Sequence, residues 1–127
     1  MIKINSLLFV FLVSLTLSCS KEIKKESLIK EKNIESQVLE AYSEGMRELE
    51  AGDVLYAAKK FNEVEIMFPQ SIWAPRSTLM AAYAYYSQDY YFDTIEELKI
   101  FLRKYPNHER VDYAHYMMAL TYYEQIV

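Results

Sequence analysis

Cysteine occurs once, at Cys19, in a chain of 127 residues. A single thiol excludes an internal disulfide and any zinc site built on cysteine. Glycine occurs twice and proline three times, so turns are few and elements few. Scarce glycine and the lack of β-branched runs favour helix over strand. Positive charge is in deficit. The formal net charge is −4, which argues against nucleic acid, whose binders carry basic stripes. There is no glycine-rich phosphate loop, no nucleophile elbow and no matched acid and base. His108 and His115 stand seven apart without cysteine or paired carboxylates beside them, so no metal site is expected. The length leaves room for one small domain; binding is the expected role, and the alternative, an enzyme, would need a catalytic domain downstream of Val127.

What is present is apolar, aromatic and repetitive. Hydrophobic residues make up 52 % of the chain, and twelve are tyrosines. A tyrosine ring is apolar and its tip polar, so helices rich in tyrosine serve as contact surface as well as core. The stretch from Phe68 to His108 opens on Phe68-Pro69 and closes near Tyr105-Pro106, with a polar break at Ser87-Gln88-Asp89. Prolines that cannot continue a preceding helix mark one complete helix–turn–helix unit. Shifting the chain by 37 residues against itself superposes Gly45, Ala82 and Ala119 without gaps. The same shift aligns Leu49, Tyr86 and Tyr123, then Tyr42, Leu79 and Tyr116. In the second helices it pairs Phe61 with Leu98, Val64 with Phe101 and Pro69 with Pro106. Small residues recurring among large ones are the signature of stacked helix pairs, which bury their faces only against neighbours.

The pattern resembles the tetratricopeptide repeat, carried by Gly45, Gly52, Ala57, Phe61 and Pro69 in one unit. In the next it is carried by Ala82, Asp89, Thr94, Leu98 and Pro106. The usual repeat is about 34 residues; the three extra fit longer connections near Ile72-Trp73-Ala74 and Glu109-Arg110-Val111. The expected fold class is all-α, a tetratricopeptide-like helix–turn–helix solenoid of about two and a half repeats of 37 residues. Helices are expected at about 36–50, 53–67, 71–87, 90–104 and from 109 onward, with Asp53, Ser71 and Asp89 as caps. Repeat 1 covers 36–71, repeat 2 covers 72–108, and 109–127 is the first helix of repeat 3. With no second helix to close it, the sequence is expected to be part of a longer protein.

The N-terminus reads as an address and an anchor. Lys3 and the apolar Leu7–Leu17 run form a secretory signal peptide over 1–18, too short for a comfortable membrane span. Leu15-Thr16-Leu17-Ser18-Cys19 resembles a bacterial lipobox, although Thr16 stands where leucine is usual. By that resemblance Cys19 is the lipid attachment site, and the covalent lipid is the only expected prosthetic group. The alternative is an ordinary signal peptide with an incidental cysteine. Several acyl chains, at roughly 0.8 kcal/mol per buried CH₂, anchor stably where one would not. Ser20 rather than aspartate after the cysteine implies the outer membrane, facing the periplasm. Residues 19–35 then form a charged tether, whose Ile23, Leu28, Ile29 and Ile34 are too few for a core.

A lipobox and charged tether precede Ser71-Ile72-Trp73-Ala74 and the run Leu79-Met80-Ala81-Ala82-Tyr83-Ala84-Tyr85-Tyr86. Phe101-Leu102, Tyr105-Pro106-Asn107-His108, Asp112-Tyr113, Tyr116-Met117 and Ala119-Leu120 follow. In series these resemble the N-terminal half of the BamD (ComL) family, lipoproteins of the β-barrel assembly machinery. The resemblance implies a periplasmic scaffold and receptor that helps recognise and insert unfolded outer-membrane β-barrel proteins. It implies BamA, through its POTRA domains, and other assembly-machinery lipoproteins as partners, with the outer-membrane lipid as anchor; by the same resemblance the BamA contact lies largely in later repeats, which leaves substrate and accessory-lipoprotein contacts to this part of the chain. The competing reading from the same fold is another repeat lipoprotein, such as a pilotin for pilus or secretin assembly.

In a tetratricopeptide array the first helices line the binding face. Helical spacing places Leu39, Tyr42, Met46 and Leu49 there in unit one. Unit two adds Arg76, Leu79, Tyr83 and Tyr86, and unit three adds Tyr113, Tyr116, Leu120 and Tyr123. The candidate substrate groove is Tyr42, Met46, Arg76, Leu79, Tyr83, Tyr86, Tyr113, Tyr116 and Tyr123. An extended strand with alternating apolar residues and a free carboxylate suits such a groove, with Arg76 as the carboxylate's partner. The alternative is that these tyrosines are core between repeats with their hydroxyls at the edge. Trp73 reads as a packing anchor or, alternatively, a partner hot spot. Glu96-Glu97 read as a solvated helix face and Met117-Met118 as core.

Overall fold

The computed structural model describes residues 33–126, which form five helices in series. They are α1 (Ile34–Ala51), α2 (Val54–Met67), α3 (Trp73–Tyr86), α4 (Tyr91–Lys104) and α5 (Val111–Glu124). The signal peptide, Cys19 and the tether up to residue 32 lie outside the described residues. No strand occurs among the described residues, and no described helix is long and apolar enough to cross a membrane. The described residues are all-α, as the repeat pattern implies.

Helix ends follow local chemistry. Asn33 opens α1 two residues before the expected start, its Oδ1 accepting the Glu35 N–H at 3.2 Å. Gly52, at φ +87°, closes it. The Gly52 N–H reaches the Leu49 carbonyl at 3.1 Å and the Asp53 N–H reaches that of Glu48 at 3.0 Å. This is a Schellman closure, which needs a left-handed residue at its hinge. Asp53 then caps α2 by accepting the Tyr56 N–H at 3.1 Å, so two residues turn the chain around. The equivalent turn 37 residues on uses Asp89 at φ +63°. There the Asp89 N–H reaches the Tyr86 carbonyl at 3.2 Å and the Tyr90 N–H reaches that of Tyr85 at 3.1 Å.

This corrects the expectation that Asp89 caps α4. Asp89 is the hinge of the closing turn, where aspartate is among the few non-glycine residues tolerated, and its Oδ1 instead accepts the Tyr91 hydroxyl at 2.8 Å. Ser71 meets its expectation in part: its Oγ accepts the Trp73 N–H at 3.2 Å. The residue flanking α3, Ile72, has no side-chain cap. The connections between units are residues 68–72 and 105–110, so Trp73, Ala74 and Val111 belong to helices rather than loops. Pro75 sits in the first turn of α3, where no intrahelical donor is lost.

Packing runs from neighbour to neighbour, α1 on α2, α2 on α3, α3 on α4 and α4 on α5. One core cluster joins Val54, Ala57, Ala58 and Phe61 of α2 to Ala81 and Ala84 of α3. The second joins Leu79 and Ala82 of α3 to Leu98 and Phe101 of α4 and to Ala114 and Met117 of α5. Thus α3 is built into both. The repeat shift shows how each unit fills its space. Gly45 faces Phe61, whose ring would stand 2.8 Å from any Cβ added there. In the next unit the glycine position is Ala82 and the phenylalanine position is Leu98, both in the second cluster. The smaller side chain opposite leaves room for a methyl, as close packing requires. The turns are tied as well, by the Gln88 amide donating to the Gly52 carbonyl at 3.0 Å.

Candidate ligand-binding groove

The first helices of the three units share a cavity of about 440 Å³. Tyr42 of α1 closes one side. Arg76, Leu79, Met80 and Tyr83 of α3 form the middle, and Arg110 with Tyr113 at the start of α5 closes the other. The (i, i+3, i+4, i+7) spacing of the four α3 residues puts them on one face, which is why a single helix supplies most of the lining. Tyr42 is set by an edge contact with Phe61 at 5.4 Å and a tilted contact with Trp73 at 5.0 Å. The Arg76 guanidinium lies 5.4 Å from the centre of the Trp73 ring, a cation–π contact that orients the cation. Trp73 is the packing anchor expected of it.

Electrostatically the groove is a cation pair among neutral phenols. Burial raises the Tyr42 hydroxyl above its ordinary value, and Arg76 and Arg110 partly offset this. Burial also raises Tyr113, reinforced by Tyr83 and opposed by Arg110. Both phenols therefore keep their protons at neutral pH and offer O–H donors. Among the described residues no carboxylate lies within ion-pair distance of Arg76 or Arg110. Two guanidinium groups with no carboxylate partner among the described residues, and with phenolic donors beside them, make a site for an anion presented by an apolar chain.

Of the residues expected to line a groove, the structure brings Tyr42, Arg76, Leu79, Tyr83 and Tyr113 into this cavity. Leu79 is only 5 % exposed and belongs to the second core cluster, so it is floor rather than open wall. Met46 packs against the first core cluster around Phe61, away from the cavity. Tyr86 stands further along the same helix, its ring 6.3 Å from that of Tyr91. Its hydroxyl is raised by burial and then by Glu124 and Tyr116. Tyr116 and Tyr123 are exposed and outside the cavity.

Arg110 was not among the expected residues, yet it carries half of the charge. A signal for it exists in the repeat. Unit two reads Trp73-x-x-Arg76, and the same shift places Arg110-x-x-Tyr113 in unit three. Aromatic and cation have exchanged places: Arg76, Arg110 and Tyr113 line the cavity, while Trp73 holds Arg76 from behind it. Elsewhere, Glu97 departs from the solvated face expected of it. It is half-buried and accepts the Asn62 amide at 2.7 Å, whereas Glu96 is exposed and pairs with Lys99 at 2.8 Å. Met117 is buried in the second cluster and Met118 packs against it. Among the described residues no cluster of histidine, cysteine and carboxylates suits a metal ion.

Comparison with known proteins adds an independent line. A family model described as YfiO, outer membrane lipoprotein, matches residues 34–127. The outer membrane protein assembly factor BamD of Caulobacter vibrioides is 38 % identical over 109 residues, covering 86 % of this chain and 35 % of that protein. BamD of Neisseria gonorrhoeae is 33 % identical over 84 residues, covering 66 % of this chain and 32 % of its own length. BamD of Rickettsia prowazekii is 29 % identical over 91 residues, covering 72 % and 36 %. The chain spans about a third of the length of the curated relatives it matches.

Proposed function

The chain belongs to the YfiO family of outer membrane lipoproteins, and from that premise we propose that it takes part in assembling outer-membrane proteins. In this reading it is a lipid-anchored, non-catalytic receptor on the periplasmic face. Its repeats hold the C-terminal segment of an unfolded β-barrel protein. BamA, through its POTRA domains, and other assembly-machinery lipoproteins are the proposed partners. The shared name of the relatives, outer membrane protein assembly factor, supports this reading over a pilotin for pilus or secretin assembly.

One observation carries the substrate proposal: Arg76 and Arg110 converge, without carboxylate partners among the described residues, on a cavity walled by Tyr42, Tyr83 and Tyr113. A chain terminus with an aromatic last residue matches both features. The carboxylate takes the guanidinium groups and the ring takes the tyrosine wall. A hydrogen bond to a charged group contributes about 1.5–3 kcal/mol, so Arg76→Ala or Arg110→Ala should each weaken such a peptide by roughly 10- to 100-fold. Amidating the peptide's terminus should do the same to wild type, and Tyr123→Ala should change little. Equal affinities for free and amidated peptides would sink the carboxylate reading. The anchor has its own test: Cys19→Ala should move the protein from the membrane fraction to the soluble one.

A further inference from the structure

A second depression, of about 590 Å³, lies where α1 begins and the α2–α3 connection passes it. Its chemistry differs from that of the groove. Ile34, Met67 and Ile72 line it and are 63 %, 58 % and 76 % exposed. Phe68, Pro69 and Trp73 complete the apolar lining. The only charged side chain among the lining residues is Glu35, and no cation is there. Trp73 lines this depression and packs on Tyr42, which lines the groove, so its ring stands between the two sites.

We propose that this apolar edge docks on the lipid surface to which the chain is tethered. The inference rests on the reading of Cys19 as a lipid attachment site. A contiguous, strongly exposed apolar patch on a small domain marks an interaction surface rather than chance. The chain from the anchor enters the fold at this edge, since Asn33 itself lines the depression. Fourteen residue steps separate Cys19 from Asn33 (33 − 19), so the edge is never more than about 50 Å from the acyl chains. Every other part of the domain lies beyond it along the chain. A peptide terminus would find no cation here, whereas apolar side chains and a tryptophan ring suit the headgroup–acyl boundary, where interfacial apolar faces sink by about 5–10 Å. The docked edge leaves the Arg76–Arg110 groove on the other side of Trp73.

Trp73 is the only tryptophan in the sequence, and it reports on the contact directly. The acylated full chain is reconstituted in phosphatidylcholine vesicles with either ordinary or brominated acyl chains, and Trp73 emission is compared. Docking predicts a loss of emission in brominated vesicles. The loss should be largely abolished by the double substitution Ile34→Ser, Ile72→Ser, while the variant still floats with vesicles and melts as wild type does. Because both isoleucines are exposed, the fold is expected to tolerate serine. Wild type that floats with equal emission in the two lipids overturns lipid docking and leaves the anchor intact. So does quenching that the double substitution leaves unchanged. Emission that responds to protein concentration and not to bromine assigns the edge to a second copy of this chain, and also overturns the proposal. Acylated protein that fails to float removes the anchor reading and the proposal with it.

Discussion

At the scale of single residues, the two glycines are required for opposite reasons. Gly52 stands in open space, its nearest neighbour for an added Cβ being the Gln88 amide at 4.0 Å, but its φ is +87°. Gly52→Ala should therefore cost about 1 kcal/mol through backbone strain alone. Gly45 has an ordinary helical backbone, where alanine would stabilise by about 1 kcal/mol. Its Cβ would press into the Phe61 ring at 2.8 Å, and that ring is fully buried. Overpacking costs about 1–3 kcal/mol, so Gly45→Ala should lower stability on balance. Urea titration of both variants checks this; a more stable Gly45→Ala would mean that Phe61 gives way easily. Ser77 offers the reverse case. Its Oγ is buried without a hydrogen-bond partner among the described residues. An unpaired buried hydroxyl costs about 1–3 kcal/mol, so Ser77→Ala should leave the melting temperature unchanged or raise it. A marked fall would show that the hydroxyl has a partner.

At the scale of elements, α2 and α4 are joined by polar contacts as well as by their shared neighbour α3. Lys104 donates to Glu65 at 2.6 Å, Tyr105 reaches the same carboxylate at 3.4 Å, and Asn62 donates to Glu97 at 2.7 Å. Burial raises the Glu97 carboxyl above the ordinary carboxylate range, with Asn62 partly opposing and Glu65 adding to the shift. The folded state therefore holds this proton to higher pH than the unfolded chain does. Stability from this group is greatest when Glu97 is protonated. It falls as pH rises from the ordinary carboxylate range through the raised value, and stays lower above it. Glu97→Gln keeps an acceptor for Asn62 and removes the charge. The variant should melt above wild type at neutral pH, with the difference shrinking in acid. Thermal melts across pH measure it, and a pH-independent difference would contradict the burial argument. Glu44 titrates in the opposite sense, lowered first by its bond with Lys60, but it is common to both proteins and cancels in the comparison.

At the scale of the whole molecule, α3 decides cooperativity. Ala81 and Ala84 complete the cluster around Phe61, while Leu79 and Ala82 complete the cluster around Leu98 and Phe101. A lesion in one unit is thus felt in the next. Phe61→Ala should cost about 3–5 kcal/mol, a large share of the 5–15 kcal/mol typical of a domain. The loss should appear as one earlier transition, not two. Separate transitions in calorimetry would show that the units unfold independently. The fold itself was legible because its two devices are periodic. Helical spacing marks the buried faces, and the 37-residue shift superposes Gly45 on Ala82 and Phe61 on Leu98. Capping chemistry marked Asp53 correctly. It misplaced Asp89, because aspartate suits both a cap and a left-handed hinge, and only the backbone path distinguishes them. Most of the groove lining was legible for the same reason: Tyr42, Arg76, Leu79, Tyr83 and Tyr113 lie on first-helix faces, and Met80 and Arg110 were missed. Spacing along one helix cannot say how deep a residue sits once neighbours pack on it. Leu79 and Met46 therefore became core, Tyr116 and Tyr123 stayed outside, and Glu97 withdrew from solvent. By itself the sequence determined the helices, the repeat and the kind of residue on each face, because these depend on local spacing. Only the tertiary structure decided that Arg110, 34 positions from Arg76 (110 − 76), shares its cavity, because that meeting depends on how successive helix pairs stack.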